Sequence, residues 1–412
     1  MKSFRSDFPI FSVHPELVFL DSASSAQKPA KVIDAMAEYQ RTSYANIHRG
    51  AYELSERSEL LYRESKVAMA RWIGASSHYD IVYSNNATGA FNLLVNSMAR
   101  SGWLKSGDRV LLSIVEHHAN IVPWMMLKET HGIEVEFVAV NAHFELDRED
   151  FIAKLTPNTK VISFTGCSNV TGVGIDFETV NFLLNTNWKS DWGRLPYRVM
   201  DASQLVAHAP LDVTKLELDF AIFTGHKVWA DTGIGVLYGK RELLKSLVPS
   251  IGGGGAINFV HTDAFEVAGL PFRFEPGTPN LTGAISLLSA FQYFESIGGY
   301  TTIMEMEQEL VGFALTEFAK RSPKIRLIGP DVAVTSLGKP RAGVFSFVVA
   351  DKHPNDIADG LADKQICVRA GHHCTEPFHR SLGIHGTVRM SFSLYTTKSD
   401  VKRFFEVLDT LI

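Results

Sequence analysis

Between about residue 80 and residue 240 the chain alternates short apolar segments with longer segments of helical periodicity. The short segments are apolar at consecutive positions and end at Gly, Asp or Asn, as is typical of strands buried on both faces of a mainly parallel sheet. This alternation predicts a doubly wound α/β domain whose ligand site lies at the carboxyl ends of the strands. The predicted strands are Ile81–Ser84, Arg109–Ile114, Ile133–Val140, Lys160–Thr165, Arg198–Asp201, Phe220–Thr224 and Ile234–Tyr238, and the predicted helices are Gly89–Ser101, His118–Thr130 and Phe177–Asn187.

After about residue 285 the pattern changes to long helices followed by a few strands. A glycine pair, Gly298-Gly299, predicts a break between two helices. The predicted elements here are helices over Ser286–Ser296, Thr302–Arg321 and 398–411, and strands over Gly343–Val349 and Ile366–Arg369. We therefore predict a large domain over residues 16–285 and a smaller α+β domain formed by residues 1–15 and 286–412.

Composition excludes several classes of function. Of 412 residues, 40 are Lys or Arg and 45 are Asp or Glu, a balance without an electrostatic footprint for nucleic acid or an anionic membrane. No apolar run approaches the roughly 18 residues of a membrane span, and the first eight residues lack the apolar core of a secretory signal. Cys167, Cys367 and Cys374 cannot form a disulfide framework, and no two of them have zinc-ligand spacing. We expect a cytoplasmic enzyme without a metal site.

The most informative window ends a buried strand in Thr224-Gly225-His226 and places Lys227 directly after it. Small residues at a strand end allow a bulky ligand to approach the backbone. Lys227 is then expected at the carboxyl edge of the sheet, where α/β folds bind ligands. Taken alone, Lys227 could equally be a surface lysine that opens a loop, because most lysines are exposed.

The complete window, from Asp219 through Lys227 to Gly233 and Gly235, resembles the lysine signature of the class V aminotransferase superfamily. The resemblance implies fold type I of the pyridoxal 5′-phosphate (PLP) dependent transferases. In that α/β fold, a large domain with a mainly parallel sheet flanked by helices is joined to a smaller C-terminal α+β domain. The resemblance also implies that Lys227 forms a Schiff base with PLP.

PLP chemistry needs a carboxylate at the pyridinium nitrogen, an anion site for the phosphate and a group stacked on the ring. Asp201 ends the strand Arg198–Asp201 and would keep the ring nitrogen protonated. Alone, Asp201 could be a turn-initiating or N-capping aspartate. The resemblance implies that Gln204 hydrogen-bonds the 3′-oxygen of the cofactor and that Asn169 faces cofactor and substrate.

A polar segment between a strand and a helix, Asn85–Gly89, is the candidate phosphate loop. Free N–H groups at a helix N-terminus bind phosphate readily, although helix capping alone also explains these polar residues. The family usually has Gly-Thr-Thr-Glu here, so Thr88 matches, whereas Ala87 lacks a hydroxyl and loses one expected contact. Thr224 and His226 are expected to add further phosphate contacts.

Two further windows contain histidines. The segment Glu116–Asn120 follows a strand, and in the class V relatives the first histidine of an identical segment stacks on the cofactor. The resemblance therefore makes His117 the ring stacker and a candidate acid or base. In the second window, Cys374 follows two histidines and Arg369, and neighbouring cations increase the thiolate fraction of a cysteine. We expect Cys167 and Cys367 to be structural.

The second window resembles the Arg-x-Gly-His-His-Cys loop of the SUF-type (group II) cysteine desulfurases, also called selenocysteine lyases. This resemblance implies that Arg389 clamps the substrate α-carboxylate, with Arg369 and His372 also at the substrate. It also implies a homodimer in which Thr278 reaches the phosphate of the neighbouring subunit's cofactor. Other matching segments are Leu20–Pro29, His48-Arg49-Gly50, His117–Trp124, Arg273–Asn280 and Arg389-Met390-Ser391.

The expected reaction is desulfuration of L-cysteine. The substrate amine displaces Lys227 from PLP, the freed Lys227 removes the Cα proton, and Asp201 stabilises the resulting quinonoid while His117 assists proton transfer. The Cys374 thiolate then attacks the substrate sulfur, which leaves alanine and a persulfide on Cys374. The resemblance alone implies that a SufE-like or SufU-like sulfur-acceptor protein takes this sulfur for iron–sulfur cluster assembly.

Three alternatives remain open at the level of sequence. Selenocysteine lysis is compatible with the same residues, because a selenolate leaves more readily than a thiolate. A kynureninase-like lyase or a transaminase would leave the His-His-Cys loop unexplained. A non-catalytic scaffold would be favoured if Lys227, Asp201 or Cys374 were missing, and all three are present.

Overall fold

The computed structural model describes residues 4–48 and 50–412. The first three residues of the predicted small domain, and Arg49 of the His48-Arg49-Gly50 motif, lie outside the described residues. The strands are β1 (Val18–Phe19), β2 (Ile81–Ser84), β3 (Arg109–Ser113), β4 (Glu134–Val138), β5 (Thr159–Thr165), β6 (Tyr197–Asp201), β7 (Phe220–Thr224), β8 (Gly235–Gly239), β9 (Ile257–Val260), β10 (Phe265–Val267), β11 (Ile325–Leu327), β12 (Val344–Val349), β13 (Ile366–Cys367), β14 (Arg369–Gly371) and β15 (Thr387–Ser391). The helices are α1 (Ile10–Val13), α2 (Ala30–Thr42), α3 (Glu53–Trp72), α4 (Ala87–Arg100), α5 (His118–His131), α6 (Arg148–Lys154), α7 (Phe177–Asn187), α8 (Leu205–His208), α9 (Arg241–Ser246), α10 (Leu281–Ser296), α11 (Gly299–Ala319), α12 (Pro354–Ala362), α13 (Glu376–Ser381) and α14 (Lys398–Leu411).

The largest sheet has the strand order β2-β8-β7-β6-β5-β3-β4. Strand β8 is antiparallel to both of its neighbours, and the other neighbouring pairs are parallel. The carboxyl ends of β3, β5, β6 and β7 therefore lie at one edge of the sheet. The predicted α/β fold with a mainly parallel sheet is confirmed.

Both faces of this sheet are covered by apolar side chains, which explains the consecutive apolar positions in the sequence. In β7, Ala221 and Phe223 belong to one core cluster, whereas Phe220 and Ile222 belong to a second cluster on the opposite face. All four side chains are fully buried. Burial on two faces fixes the register of the strand that leads to Lys227.

A second, antiparallel sheet has the order β11-β12-β15-β14. Its core contains apolar residues from the sheet together with Val311, Phe318, Phe404 and Leu408, which come from α11 and α14. Strand β14 leads directly into the segment that contains Cys374. The short strand β1 pairs in parallel with β13, so the N-terminal segment lies beside the segment that precedes β14.

Several element boundaries differ from the sequence predictions. Helix α4 begins at Ala87 rather than Gly89, because the Asn86 side chain caps it by accepting a hydrogen bond from the Gly89 N–H at 2.8 Å. The prediction of one strand over Ile366–Arg369 is wrong. It is divided at Val368, since β13 pairs with β1 whereas β14 pairs with β15.

Candidate active site

A cavity of about 210 Å³ lies at the carboxyl edge of the large sheet, beside the segment that follows β14. It brings together expected site residues that lie far apart in the sequence. The expected site residues that line it are Ala87, Thr88, His117, Asn169, Asp201, Gln204, Thr224, His226, Lys227, Arg369, Cys374 and Arg389.

Lys227 ends the short 3-10 turn Gly225–Lys227 that follows β7. Burial lowers the pKa of its ammonium group to about 8, although the Asp201 carboxylate acts in the opposite direction. A substantial fraction of the side chain is therefore a neutral amine near physiological pH. A neutral amine is the form that acts as a nucleophile or takes up a proton.

Asp201 and its neighbours form the floor of the cavity. The Asp201 carboxylate is buried and accepts a hydrogen bond from the Ser203 N–H at 2.9 Å, and burial raises its pKa. Gln204 donates through Nε2 to the Ala23 carbonyl at 2.7 Å. The Gln204 Oε1 atom is buried without a hydrogen-bond partner among the described residues. Unpaired buried polar atoms in a cavity fit a polar ligand.

The first turn of α4 lines the same cavity through Ala87 and Thr88, and Thr224 and His226 line it as well. Free N–H groups and a hydroxyl at a helix N-terminus suit a phosphate group. Strand β8 passes so close that a Cβ on Gly235 would lie 2.3 Å from the backbone carbon of Asn86. Only glycine allows this approach.

His117 is the N-cap of α5. Its Nδ1 accepts a hydrogen bond from the Ala119 N–H at 3.0 Å, so the neutral ring carries its proton on Nε2. Burial, together with the Lys227 charge, lowers the pKa of His117 to about 3. His117 is thus a neutral imidazole at physiological pH, a form that suits stacking on an aromatic ring.

Glu116 directly precedes His117 and is fully buried. The sequence motifs predict no role for it. Its carboxyl group accepts hydrogen bonds from the Thr165 N–H at 2.7 Å and from Asn120 Nδ2 at 2.8 Å. Burial raises its pKa to about 8. Glu116 therefore joins β5 to the first turn of α5 and holds the segment that contains His117. The sequence feature that could have identified Glu116 is its position at the start of the Glu116–Asn120 motif.

The segment around Cys374 has an unusual backbone. His373 and Cys374 are consecutive non-glycine residues in the left-handed region, with φ angles of 52° and 58°. Two hydrogen bonds hold them there: the His118 N–H donates to the Cys374 carbonyl at 2.7 Å, and Asn169 Nδ2 donates to the His373 carbonyl at 2.8 Å. Strained backbone of this kind persists where its surroundings over-determine it.

Two expected site residues do not line the cavity. His372 lies outside it, with its ring edge-on to His379 at a centroid distance of 5.6 Å. The second histidine of the loop, His373, lines the cavity instead and is buried. His373 is also the first of the two consecutive residues with a left-handed backbone. Thr278 is exposed and also lies outside the cavity of its own chain.

Arginine side chains make one wall of the cavity positive. Arg389 is only 2% exposed, and its Nη1 donates to the Asn169 carbonyl at 3.1 Å. Its Nη2 donates to Asp21 Oδ1 at 3.1 Å, and its Nε is buried without a partner among the described residues. Arg369 lies beside it in the cavity lining. Two guanidinium groups and Lys227 suit an anionic ligand.

Cys167 also lines the cavity, but its environment differs from that of Cys374. Burial raises the pKa of the Cys167 thiol to about 12, whereas Cys374 is only partly buried. No group of three or more His, Cys, Asp or Glu side chains in residues 4–48 and 50–412 is arranged to hold a metal ion. Within the same residues, the helices are too short or too polar to traverse a bilayer.

The residues in the cavity fit PLP. The buried carboxylate of Asp201, the unpaired amide oxygen of Gln204, the first turn of α4 and the amine of Lys227 together provide sites for a ring nitrogen, a ring hydroxyl, a phosphate and an aldehyde. Each group is of the type that PLP needs.

Known proteins resemble this chain over almost its whole length. It is 36% identical to a probable cysteine desulfurase from Streptomyces coelicolor, covering 99% of this chain and 96% of that protein. It is also 36% identical to a cysteine desulfurase from Pectobacterium atrosepticum, covering 97% and 95% of the two chains. Among solved structures, an apo cysteine desulfurase from Thermococcus onnurineus superposes with a TM-score of 0.91 at 33% identity, covering 100% of this chain and 98% of that one.

A cysteine desulfurase structure from Escherichia coli gives a TM-score of 0.87 at 32% identity, covering 99% of this chain and 97% of that one. Residues 18–404 match the aminotransferase class-V family, whose members depend on PLP. The match includes the lysine window, the cavity floor and the loop of Cys374. The chain therefore belongs to the aminotransferase class-V family.

Proposed function

We propose that this protein is a cysteine desulfurase that converts L-cysteine to L-alanine and holds the removed sulfur as a persulfide on Cys374. The observation that carries the proposal is the placement of Lys227 and Cys374 in the lining of one cavity. An amine suited to PLP and a partly exposed thiol then act on the same bound amino acid. The names of the relatives support the same activity.

In this proposal, different residues of the cavity bind different groups of PLP. Lys227 would hold PLP covalently, Asp201 would face the ring nitrogen, His117 would lie against the ring and Gln204 would bind the ring hydroxyl. The first turn of α4 would hold the phosphate, with contacts from Thr88, Thr224 and His226 and from Thr278 of a second copy of the chain. When bound, PLP withdraws electrons from the substrate Cα and so acidifies its proton.

The remaining steps belong to side chains of the protein. Arg389 binds the substrate α-carboxylate, with Arg369 and Asn169 beside it, and Lys227 accepts the Cα proton as a neutral amine. The Cys374 thiolate attacks the substrate sulfur, so that one S–S bond forms and the substrate Cβ–S bond breaks. The electron pair of that bond remains on the substrate carbon, which is protonated to give alanine. In sum, cysteine and a thiol become alanine and a persulfide.

The pKa of Lys227 predicts how the protein takes up its cofactor. Because the amine must be neutral to react, covalent loading of cofactor-free protein with PLP should rise about tenfold per pH unit below pH 8 and level off above it. Stopped-flow absorbance of the bound cofactor measures the rate. Since Asp201 raises the pKa of Lys227, the midpoint in Asp201→Asn should move to lower pH. A wild-type midpoint near the ordinary lysine pKa would contradict the assignment.

The cellular role is also part of the proposal. We propose a homodimer, because exposed apolar side chains cover α3, α5 and the β9–β10 hairpin, including Leu60, Met126, Phe259 and Phe265, and because Thr278 is exposed outside its own cavity. The sulfur would pass from Cys374 to an acceptor protein for iron–sulfur cluster assembly in the cytoplasm. The sequence resemblance supports this last step.

The deciding experiment supplies the purified, PLP-loaded protein with L-cysteine. With a reductant present, alanine and sulfide should form in equal amounts over many turnovers. Without a reductant, one equivalent of alanine should form, and mass spectrometry should find one added sulfur on the Cys374 peptide. Alanine formation from selenocysteine but not from cysteine would exclude the desulfurase and support the lyase. Sedimentation of the same preparation distinguishes one chain from two.

A further inference from the structure

The N-terminal strap, which we define as residues 20–26, runs along the wall of the cavity. Its backbone is tied to several elements of the site. The Leu20 N–H donates to the Cys367 carbonyl at 2.9 Å, the Ser391 N–H donates to the Leu20 carbonyl at 2.7 Å, and the Ala26 N–H donates to the His226 carbonyl at 2.9 Å. The strap thus joins β13, β15 and the turn that ends in Lys227.

One backbone carbonyl and two side chains of the strap contact three different residues of the cavity. The Ala23 carbonyl accepts from Gln204, the Ser24 hydroxyl accepts from Arg369, and Asp21 forms an ion pair with Arg389 at 3.1 Å. The first contact is on the cofactor side, and the other two involve the arginines on the substrate side.

The ion pair with Asp21 stabilises the buried positive charge of Arg389. A guanidinium group that is 2% exposed needs a partner, because a buried unpaired charge is strongly destabilising. Among its other neighbours in the cavity, Arg369 and the protonated form of Lys227 oppose its positive charge, whereas Cys374 favours it. Asp21 is the carboxylate that contacts the guanidinium.

The contacts also fix the orientation of the guanidinium plane. Asp21 accepts from Nη2 and the Asn169 carbonyl accepts from Nη1, so both terminal nitrogens are held. The Nε of Arg389 has no partner among the described residues and is buried. Each terminal nitrogen has a second N–H, so a guanidinium held in this way can still donate two parallel hydrogen bonds to a carboxylate.

We propose that Asp21 is a positioning residue that fixes the Arg389 guanidinium in the wall of the cavity, and so sets the preference for ligands that carry an α-carboxylate. This inference rests on the proposed function in one respect, the role of Arg389 as the carboxylate site. Asp21 acts through Arg389 and does not contact the reacting atoms.

The test compares two ligands that differ only in the carboxylate. L-alanine and ethylamine are titrated into PLP-loaded protein, and binding is followed by the change in cofactor absorbance. In Asp21→Asn, which keeps the size of the side chain but removes its charge, the affinity for L-alanine should fall about tenfold. The affinity for ethylamine should change by less than about twofold. The KM for L-cysteine should rise more than kcat falls.

A matched control lies on the same strap. Ser22 bonds to the Tyr395 hydroxyl at 2.7 Å and does not line the cavity, so Ser22→Ala tests general loosening of the strap. Equal weakening of both ligands in Asp21→Asn, unchanged L-alanine binding, or the same ligand pattern in Ser22→Ala would overturn the proposal. If the wild type made no alanine from cysteine, the desulfurase would fail, but the two-ligand comparison would still decide the role of Asp21.

Discussion

Replacing Lys227 by alanine is expected to reduce alanine formation from L-cysteine by at least about 10⁴-fold. Lys227 lies in the turn after β7, and burial brings the pKa of its amine to about 8. In the proposed reaction, the variant would lose both the covalent attachment of PLP and the base for the Cα proton. Cofactor absorbance should show PLP bound without a covalent link, and alanine should be measured after derivatisation.

The Lys227→Arg variant separates charge from chemistry. A guanidinium keeps the positive charge near Asp201 but stays protonated, so it can neither attach PLP nor accept a proton. We expect it to be as inactive as Lys227→Ala. Both variants should unfold at temperatures close to that of wild-type protein without cofactor. Activity above about 1% of wild type in a folded Lys227→Ala protein would contradict the role of Lys227.

Replacing Cys374 by alanine is expected to reduce alanine formation by at least about 10³-fold. The thiol is partly exposed and lines the same cavity as Lys227, and it is the group that accepts the substrate sulfur in the proposed reaction. The variant should still load PLP and still change its absorbance when L-cysteine is added. The loss should therefore appear in sulfur removal and not in substrate binding.

Cys367 provides the matched control for this experiment. It is likewise partly buried, but it lies in β13 and does not line the cavity. Burial raises the pKa of its thiol. Cys367→Ala should keep alanine formation near the wild-type rate and should still gain one sulfur on the Cys374 peptide. Equal alanine formation by wild type and Cys374→Ala would show that sulfur leaves by another route.

The parts of the site that could be predicted are those encoded in consecutive residues. The strand before Lys227 is buried on both faces and is therefore a continuous apolar run. The small residues and the lysine follow it directly, so one short segment of sequence predicts the position of Lys227. The loop of Cys374 is similarly continuous. Such segments predict the position of a side chain correctly, because burial fixes the register of the strand that leads to it.

The parts that could not be predicted depend on contacts between distant segments. Nothing local to Asp21 shows that it will meet Arg389, because strand pairing brings them together. Glu116 is comparable, since its burial follows from the packing of α5 on the sheet. His373 lines the cavity in place of His372, and its backbone is left-handed, a conformation that sequence periodicity does not predict.

The left-handed pair at His373 and Cys374 has a consequence for protein engineering. For residues other than glycine this conformation costs about 1–2 kcal/mol per residue, and here it is maintained by donors outside the loop, the His118 N–H and Asn169 Nδ2. A short peptide with this loop sequence would relax to other backbone angles. Transplanting the proposed sulfur chemistry to a related scaffold would therefore require grafting the start of α5 and Asn169 together with Cys374.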